Sequence, residues 1–342
     1  MKLPLPTVLI LVAGNVLGQT GPSLRHSGVP FTATNCAIEW AAPTNQMPKA
    51  LWIYKTIPQH FPDEAISNLV AMGEFTPQDL MKMTDEERAR ATPKELAAAE
   101  NLVGFYNEGT KRNLAISPAT GNIFYSDPEV EDPRCPIEDV PDEATVQQLA
   151  LKLFDQFGFP RSELARKPNS TELLAWKEMS RRGHFDKEQR KAVKDGIDSR
   201  GMMIPRRIDG VNFAGAGMNG GFTVRFASHA AITQLQLVWR NLQPYRKYQL
   251  ASPAQIVEWI KEGKAVVLWC YASKLNPPAV KKLTITEVSP LYAGELGFAI
   301  PGLTPQDFTY PFADLNALAD TGPTNIAIDL YCPILTDKEV TP

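Results

Sequence analysis

The sequence predicts an α+β protein: small antiparallel sheets, each packed by a helix, with an N-terminal helical segment. Three observations carry that expectation. Apolar residues alternate into and out of a turn at 113–125 and again at 222–239, the pattern of a β-hairpin. A helix-periodic stretch follows each, so hairpin then helix occurs twice, a candidate duplication with little shared sequence. The 29 prolines and 22 glycines among 342 residues imply many turns and weigh against a mostly helical chain.

Residues 1–18 read as a secretory signal, with Lys2 as the basic start, Leu3 to Val12 as the apolar core, and Val16 and Gly18 as small residues before cleavage at Gln19. Pro4 and Pro6 inside that core keep an uncleaved anchor open as the alternative. No later run approaches the ~20 apolar residues of a membrane helix, so the mature protein is expected to be secreted or extracytoplasmic, with no membrane span. The net charge of −3 is mild and predicts no nucleic-acid partner.

Residues 19–62 are expected as an extended arm with a short strand around Ala50 to Tyr54. Residues 63–104 form the helical segment, with helices at 63–72, 77–83 and 93–103. Thr76-Pro77-Gln78-Asp79 and Thr92-Pro93-Lys94-Glu95 each place a capping Thr, a first-turn Pro and an acid three residues on. Residues 105–160 form the first hairpin-plus-helix unit. Its turn is Pro118-Ala119-Thr120-Gly121, and its helix carries Val146, Leu149, Ala150, Leu153, Phe154 and Phe157 on one stripe before Gly158 and Pro160 end it. Residues 161–202 are charged and expected as a helical connector in two pieces, 171–180 and 186–193. Residues 203–342 form the second sheet-plus-helix unit, whose helix opens on Ser252-Pro253-Ala254-Gln255 and stops at Gly263, with strands at 265–271, 283–288 and 325–334.

Gly215-Ala216-Gly217-Met218-Asn219-Gly220-Gly221 has the spelling of a dinucleotide fingerprint, but that site needs a helix after the glycines so that phosphate meets its N-terminus. Here Phe222-Thr223-Val224-Arg225-Phe226 follows, and it is a strand. A kinase glycine loop would need V-A-I-K, H-R-D and D-F-G, which the chain lacks. The cluster is read as a turn, and no cofactor is expected.

Around it, Asp209-Gly210-Val211, the V-R-F strand, the Val238-Trp239-Arg240 strand end and the S-P-x-x-I start at Ser252 follow one another in an order that resembles secreted PepSY-like α/β modules. Leu283-Thr284-Ile285, Leu291-Tyr292 and Tyr310-Pro311-Phe312 are similar to the closing strands of such modules. The resemblance covers 203–334, with 113–157 as a candidate degenerate first copy. It implies a helix on a small antiparallel sheet and a non-catalytic module of the kind found in protease propeptides, inhibitors and envelope sensors.

The four histidines, His26, His60, His184 and His229, form no i, i+4 pair and no H-E-x-x-H, and no G-x-S-x-G elbow is present. The acids Asp127, Glu129, Glu131 and Asp132 lack the glycine and terminal Glu of an EF-hand loop and are read as a solvated loop. Trp239, Arg240, Tyr245, Arg246 and Tyr248 are the candidate binding residues, because arginine beside aromatics is what protein-binding surfaces favour. The competing reading buries the Trp and solvates the arginines. Cys36, Cys135, Cys270 and Cys332 contain no C-x-x-C pair. A Cys270–Cys332 bridge with Cys36–Cys135 is the pairing expected among three, against buried free thiols as the alternative. Asn169-Ser170-Thr171 is a glycosylation sequon if the source is eukaryotic. The expected function is a secreted, non-enzymatic binding or inhibitory protein whose partner is another secreted or envelope protein. The alternatives are a secreted hydrolase using acids such as Asp209 and Glu287, or a structural envelope protein.

Overall fold

The computed structural model describes residues 25–340 except 27–28, 31–35, 44–46, 93–95, 97–98, 129–136, 168, 187–190, 215–220, 271–279, 294–306 and 323. The signal sequence, the glycine cluster up to Gly220 and Cys135 therefore lie outside the described residues. In chain order the elements are β1 (Arg25–His26), β2 (Val29–Pro30), β3 (Ala37–Trp40), β4 (Ala50–Ile57), α1 (Asp63–Met72), α2 (Asp85–Arg90), β5 (Val103–Tyr106), β6 (Asn113–Ser117), β7 (Asn122–Ser126) and α3 (Glu143–Gln156). They continue as β8 (Trp176–Asp186), β9 (Lys191–Ile208), β10 (Val211–Ala214), β11 (Gly221–Phe226), β12 (Ile232–Val238), β13 (Asn241–Leu250), α4 (Pro253–Lys261), β14 (Val266–Cys270), β15 (Lys282–Ala293), β16 (Phe308–Asp320), β17 (Asn325–Pro333) and β18 (Leu335–Glu339). The chain forms two compact units. Among the described residues the first is Ile57–Asn241, and the second combines the chain before Ile57 with the chain from Leu242 onward.

The first unit is built on an antiparallel sheet of order β5-β6-β7-β12-β11-β9-β8, with β10 folded back on the end of β9. Both expected hairpins form, β6–β7 and β11–β12. The β6–β7 turn depends on Gly121, whose φ is +68° and where a Cβ would lie 2.4 Å from the Trp239 carbonyl oxygen. That closeness follows from β12 pairing with β7, Leu235 against Tyr125 and Leu237 against Ile123. The side chains facing helix α3 are apolar and buried, among them Leu114, Ile123, Tyr125, Ile204, Phe222, Val224, Leu235 and Leu237.

Helix α3 forms where its apolar stripe predicts. Asp142 caps it, accepting a hydrogen bond from the Thr145 N–H at 2.8 Å, and Gly158 at φ +70° ends it. Val146, Ala150 and Phe154 are buried, and the Phe154 ring meets Phe222 and Trp239 edge-on with centroids 5.5 and 4.9 Å apart. Burying such a ring contributes about 2–3 kcal/mol.

The second unit carries β3-β15-β16-β17-β14, with β3 parallel to β15 and the other pairs antiparallel. The start of β16 also pairs with β4, and β4, β13 and β18 follow in order. Helix α4 is capped by Ser252, whose Oγ accepts from the Gln255 N–H at 3.3 Å. It turns Ile256 and Ile260 onto a core that includes Leu283, Ile285, Leu315, Ile328, Leu330 and Cys332.

This architecture corrects the expected class of small helix-packed α+β sheets. The chain is predominantly β, with strands of up to 18 residues against described helices of 6 to 14. The expected charged helical connector, 161–202, is replaced for most of its length by the strands β8 and β9. Its charges gave no strand period, and long-range pairing decides the conformation instead: Trp176 to Ser180 align with Met203 to Ser199 across the ribbon. The β7–β12 ladder joins the two hairpins in one sheet, so they do not form two separate small sheets, each with its own helix. In the helical segment, 63–72 is a helix, 77–83 shrinks to a single 3-10 turn at Pro77–Asp79, and the chain is already β5 at Val103.

Candidate functional site

The structure divides the predicted Trp239–Tyr248 group between the two units. Trp239 and Arg240 are buried in the first, only 2% and 3% exposed. Trp239 stacks on Phe159 with centroids 5.3 Å apart and planes 13° from parallel. The Arg206 guanidinium lies 4.7 Å from the Trp239 ring centre and 5.7 Å from that of Phe213. Arg206 is itself buried, paired with Glu163 at 2.7 Å and donating to the Arg240 carbonyl oxygen at 2.6 Å. A guanidinium desolvated between two rings needs that carboxylate and carbonyl to hold its charge inside. This cluster ties the end of β9 to the end of β12. Trp239 and Arg240 are thus core residues, which corrects their assignment to a binding rim.

Tyr245, Arg246 and Tyr248 stand on β13 of the second unit, and here the expectation meets an exposed surface. Tyr245 is 47% exposed, and its ring centroid lies 4.9 Å from that of Phe308. Phe308 lies 6.3 Å from Tyr310, which is 45% exposed. The Arg246 guanidinium sits 5.1 Å over the Tyr245 ring, and a hydrogen bond with Tyr248 is the main reason its pKa rises above the ordinary value. Glu339 of β18 is 3.6 Å from Arg246 and opposite Tyr248 in register. Lys247 lies 5.7 Å over the ring of Trp52 on β4. The result is a surface of aromatic faces and cations. Phe308 and Tyr310 escaped the sequence reading as site residues. Their alternation in β16 was visible, but the fold alone brings the start of β16 to within one strand, β4, of β13.

A second polar group lies on β15, β16 and β17. The register sets Ser289 opposite Asp314 and Asp314 opposite Tyr331, and one step along sets Glu287, Asn316 and Asp329 side by side. Burial, then the charges of Asp329 and Glu287, push the Asp314 carboxyl up to about 6. The Tyr331 phenol is pushed up as well, by burial and then by Asp314 and Asp329. Glu287 accepts a hydrogen bond from Asn316 at 3.0 Å. Asp209, the other acid of the hydrolase alternative, sits at the β9–β10 turn with φ +50°.

The expected Cys270–Cys332 disulfide does not form. Cys270 is opposite Ile328 in the β14–β17 ladder, four residues from Cys332, well beyond the reach of a disulfide. Cys332 is a buried free thiol whose Sγ donates to the Ile256 carbonyl at 3.9 Å, and burial pushes it up to about 12. Cys36 is also a free thiol, half-buried, which removes the Cys36–Cys135 pairing. Asp127, from the acidic loop, is buried and paired with Arg112 at 2.9 Å, and Arg112 reaches Glu74 at 2.6 Å. His229 stands in an exposed turn with its nitrogens 3.4 Å from Glu138 and 3.7 Å from Asp139. Asn169 is exposed in a turn at φ +54°, open to solvent as a sequon requires. A cleft of about 290 Å³ is lined by Trp40, Met47, Gln249, Leu250 and Ile256.

No helix among the described residues is long and apolar enough to cross a membrane. In comparisons with known proteins the chain matches no family model, and no curated protein is similar to it in sequence.

Proposed function

We propose that this protein is an exported, non-enzymatic binding protein of the PepSY-like type, acting on another secreted or envelope protein through the aromatic and cationic surface of the second unit. The observation that carries the reading is the Tyr245–Phe308–Tyr310 row with Arg246 over its first ring. Tyrosine and arginine are the residues on which protein interfaces concentrate their binding energy. Their rigid rings lose little entropy on contact, and arginine both stacks and donates. Arg246, Lys247 and Lys55, which stands opposite Phe308 in register, outnumber Glu339 there and give the surface a positive bias that suits an acidic segment of the partner.

The test is affinity capture from the native secretome with the wild-type protein and with a Tyr245→Ala/Arg246→Ala double variant, read by mass spectrometry. A protein retained by the wild type and released by the double variant is the expected result. Equal retention by both sinks the reading. A hydrolase reading has one observation in its favour, the Asp314 carboxyl raised to about 6 beside two other acids. Turnover of ester, peptide or glycoside substrates that disappears in Asp314→Asn would replace the binding reading with that one.

A further inference from the structure

The sheet of the first unit has a second face, opposite helix α3, and its chemistry differs from the core side. On β12 and β7, and on β11 from Phe222 onward, every second residue is buried, and the residues between them point away from α3. The registers align Phe124, Gln236, Thr223, Met203 and Trp176 in one row across β7, β12, β11, β9 and β8. Both ends of the row are exposed aromatics, Phe124 at 38% and Trp176 at 41%. Four strand steps of about 4.8 Å separate them by about 19 Å.

The next row carries Gln234, Arg225, Gly201 and Glu178. Arg225 reaches over Gly201 to Glu178 and pairs with it at 2.8 Å. A Cβ on Gly201 would lie 3.0 Å from the Val224 carbonyl oxygen and 3.4 Å from the Arg225 Cβ, so the glycine keeps that lane low. The two charges neutralise each other, leaving a face of two amides, a hydroxyl, the Met203 thioether and an internal ion pair between two rings. Beyond β7 and β6, the Met81 side chain covers Gly104 on β5 and closes the platform on that side.

We infer that this face is a binding platform for a neutral oligosaccharide. Carboxamide and hydroxyl groups both donate and accept, as the hydroxyls of a sugar do. Exposed aromatic faces offer apolar area to the C–H faces of pyranose rings. The internal pairing of Arg225 with Glu178 disfavours a polyanion such as nucleic acid, which would need unpaired cations. The length between the aromatic ends suits a short chain of sugars better than a single one. This inference concerns the first unit and does not depend on the protein-binding surface of the second.

The experiment titrates the full-length protein with cellotetraose, laminaritetraose and maltotetraose, by saturation-transfer NMR and calorimetry. At least one tetramer is expected to bind, with affinity lowered about tenfold or more by Trp176→Ala or Phe124→Ala. Trp176→Phe, which keeps a ring, should restore most of it, and Tyr245→Ala/Arg246→Ala should leave it unchanged. Both platform residues are exposed, so the variants are expected to keep the wild-type melting temperature. Absence of binding to all three tetramers, or binding unchanged in both alanine variants, overturns the inference.

Discussion

At the scale of single residues, Asp314 holds the carboxyl pushed furthest above its ordinary range among the described residues. Its carboxyl is raised to about 6, chiefly by burial and further by Asp329 and Glu287. Between the ordinary carboxylate range and pH 6 the folded state therefore holds a proton that the unfolded chain has released. Stability must fall as pH rises through that window, the reverse of the usual aspartate. Above it, the buried charge costs on the order of 2 kcal/mol, allowing for solvent at a half-buried site. Asp314→Asn removes the charge and keeps the shape. The variant is expected to melt higher than wild type at pH 7 and equally at pH 3.5. A lower melting temperature at pH 7 would mean that the carboxylate makes a stabilising contact instead. Arg206 shows the opposite solution: its buried guanidinium is matched by Glu163 and a carbonyl and flanked by two rings, so its donors have partners inside the core.

At the scale of elements, helix α3 is where the first unit closes. Phe154 touches Phe222 on β11, Trp239 at the end of β12, and Phe159 beyond the helix. Phe154→Ala leaves a cavity between the helix and the β11–β12 hairpin, so a cost of about 3–5 kcal/mol is expected, measured by denaturant titration. A cost below about 1 kcal/mol would show that α3 is not seated on the sheet. This helix was legible because its stripe, cap and stop all lie within one short stretch. The same holds for α4, with Ser252 and Gly263, and for the two hairpins. The β8–β9 ribbon was not legible: Lys177, Glu178 and Arg181 carry no period, and their strand state comes from partners more than ten residues away. The same limit split the candidate site. Trp239 and Tyr245 are six residues apart in sequence, and nothing local says that one enters a core while the other stands on a different unit's surface.

At the scale of the whole molecule, each unit encloses its own core: one under α3 built on aromatics, one under α4 built on aliphatic residues and Cys332. The sequence showed two sheet-forming regions but drew their border at the charged stretch. The contacts draw it at Asn241, because β12 returns to pair with β7 before the chain leaves the first unit. Cys332 makes the second core experimentally visible. Its thiol is buried, is held near Ile256, and is pushed up to about 12, so neither access nor ionisation favours reaction in the folded state. Alkylation with iodoacetamide at pH 8, read by peptide mass mapping, should leave Cys332 unmodified in buffer. Labelling should appear in denaturant over the transition in which the second unit unfolds. Rapid labelling in buffer would mean that this core opens readily. A Cys270–Cys332 crosslinked peptide would require the β14–β17 register to shift by four residues, carrying Val267 and Leu330 out of the places they now share in the core.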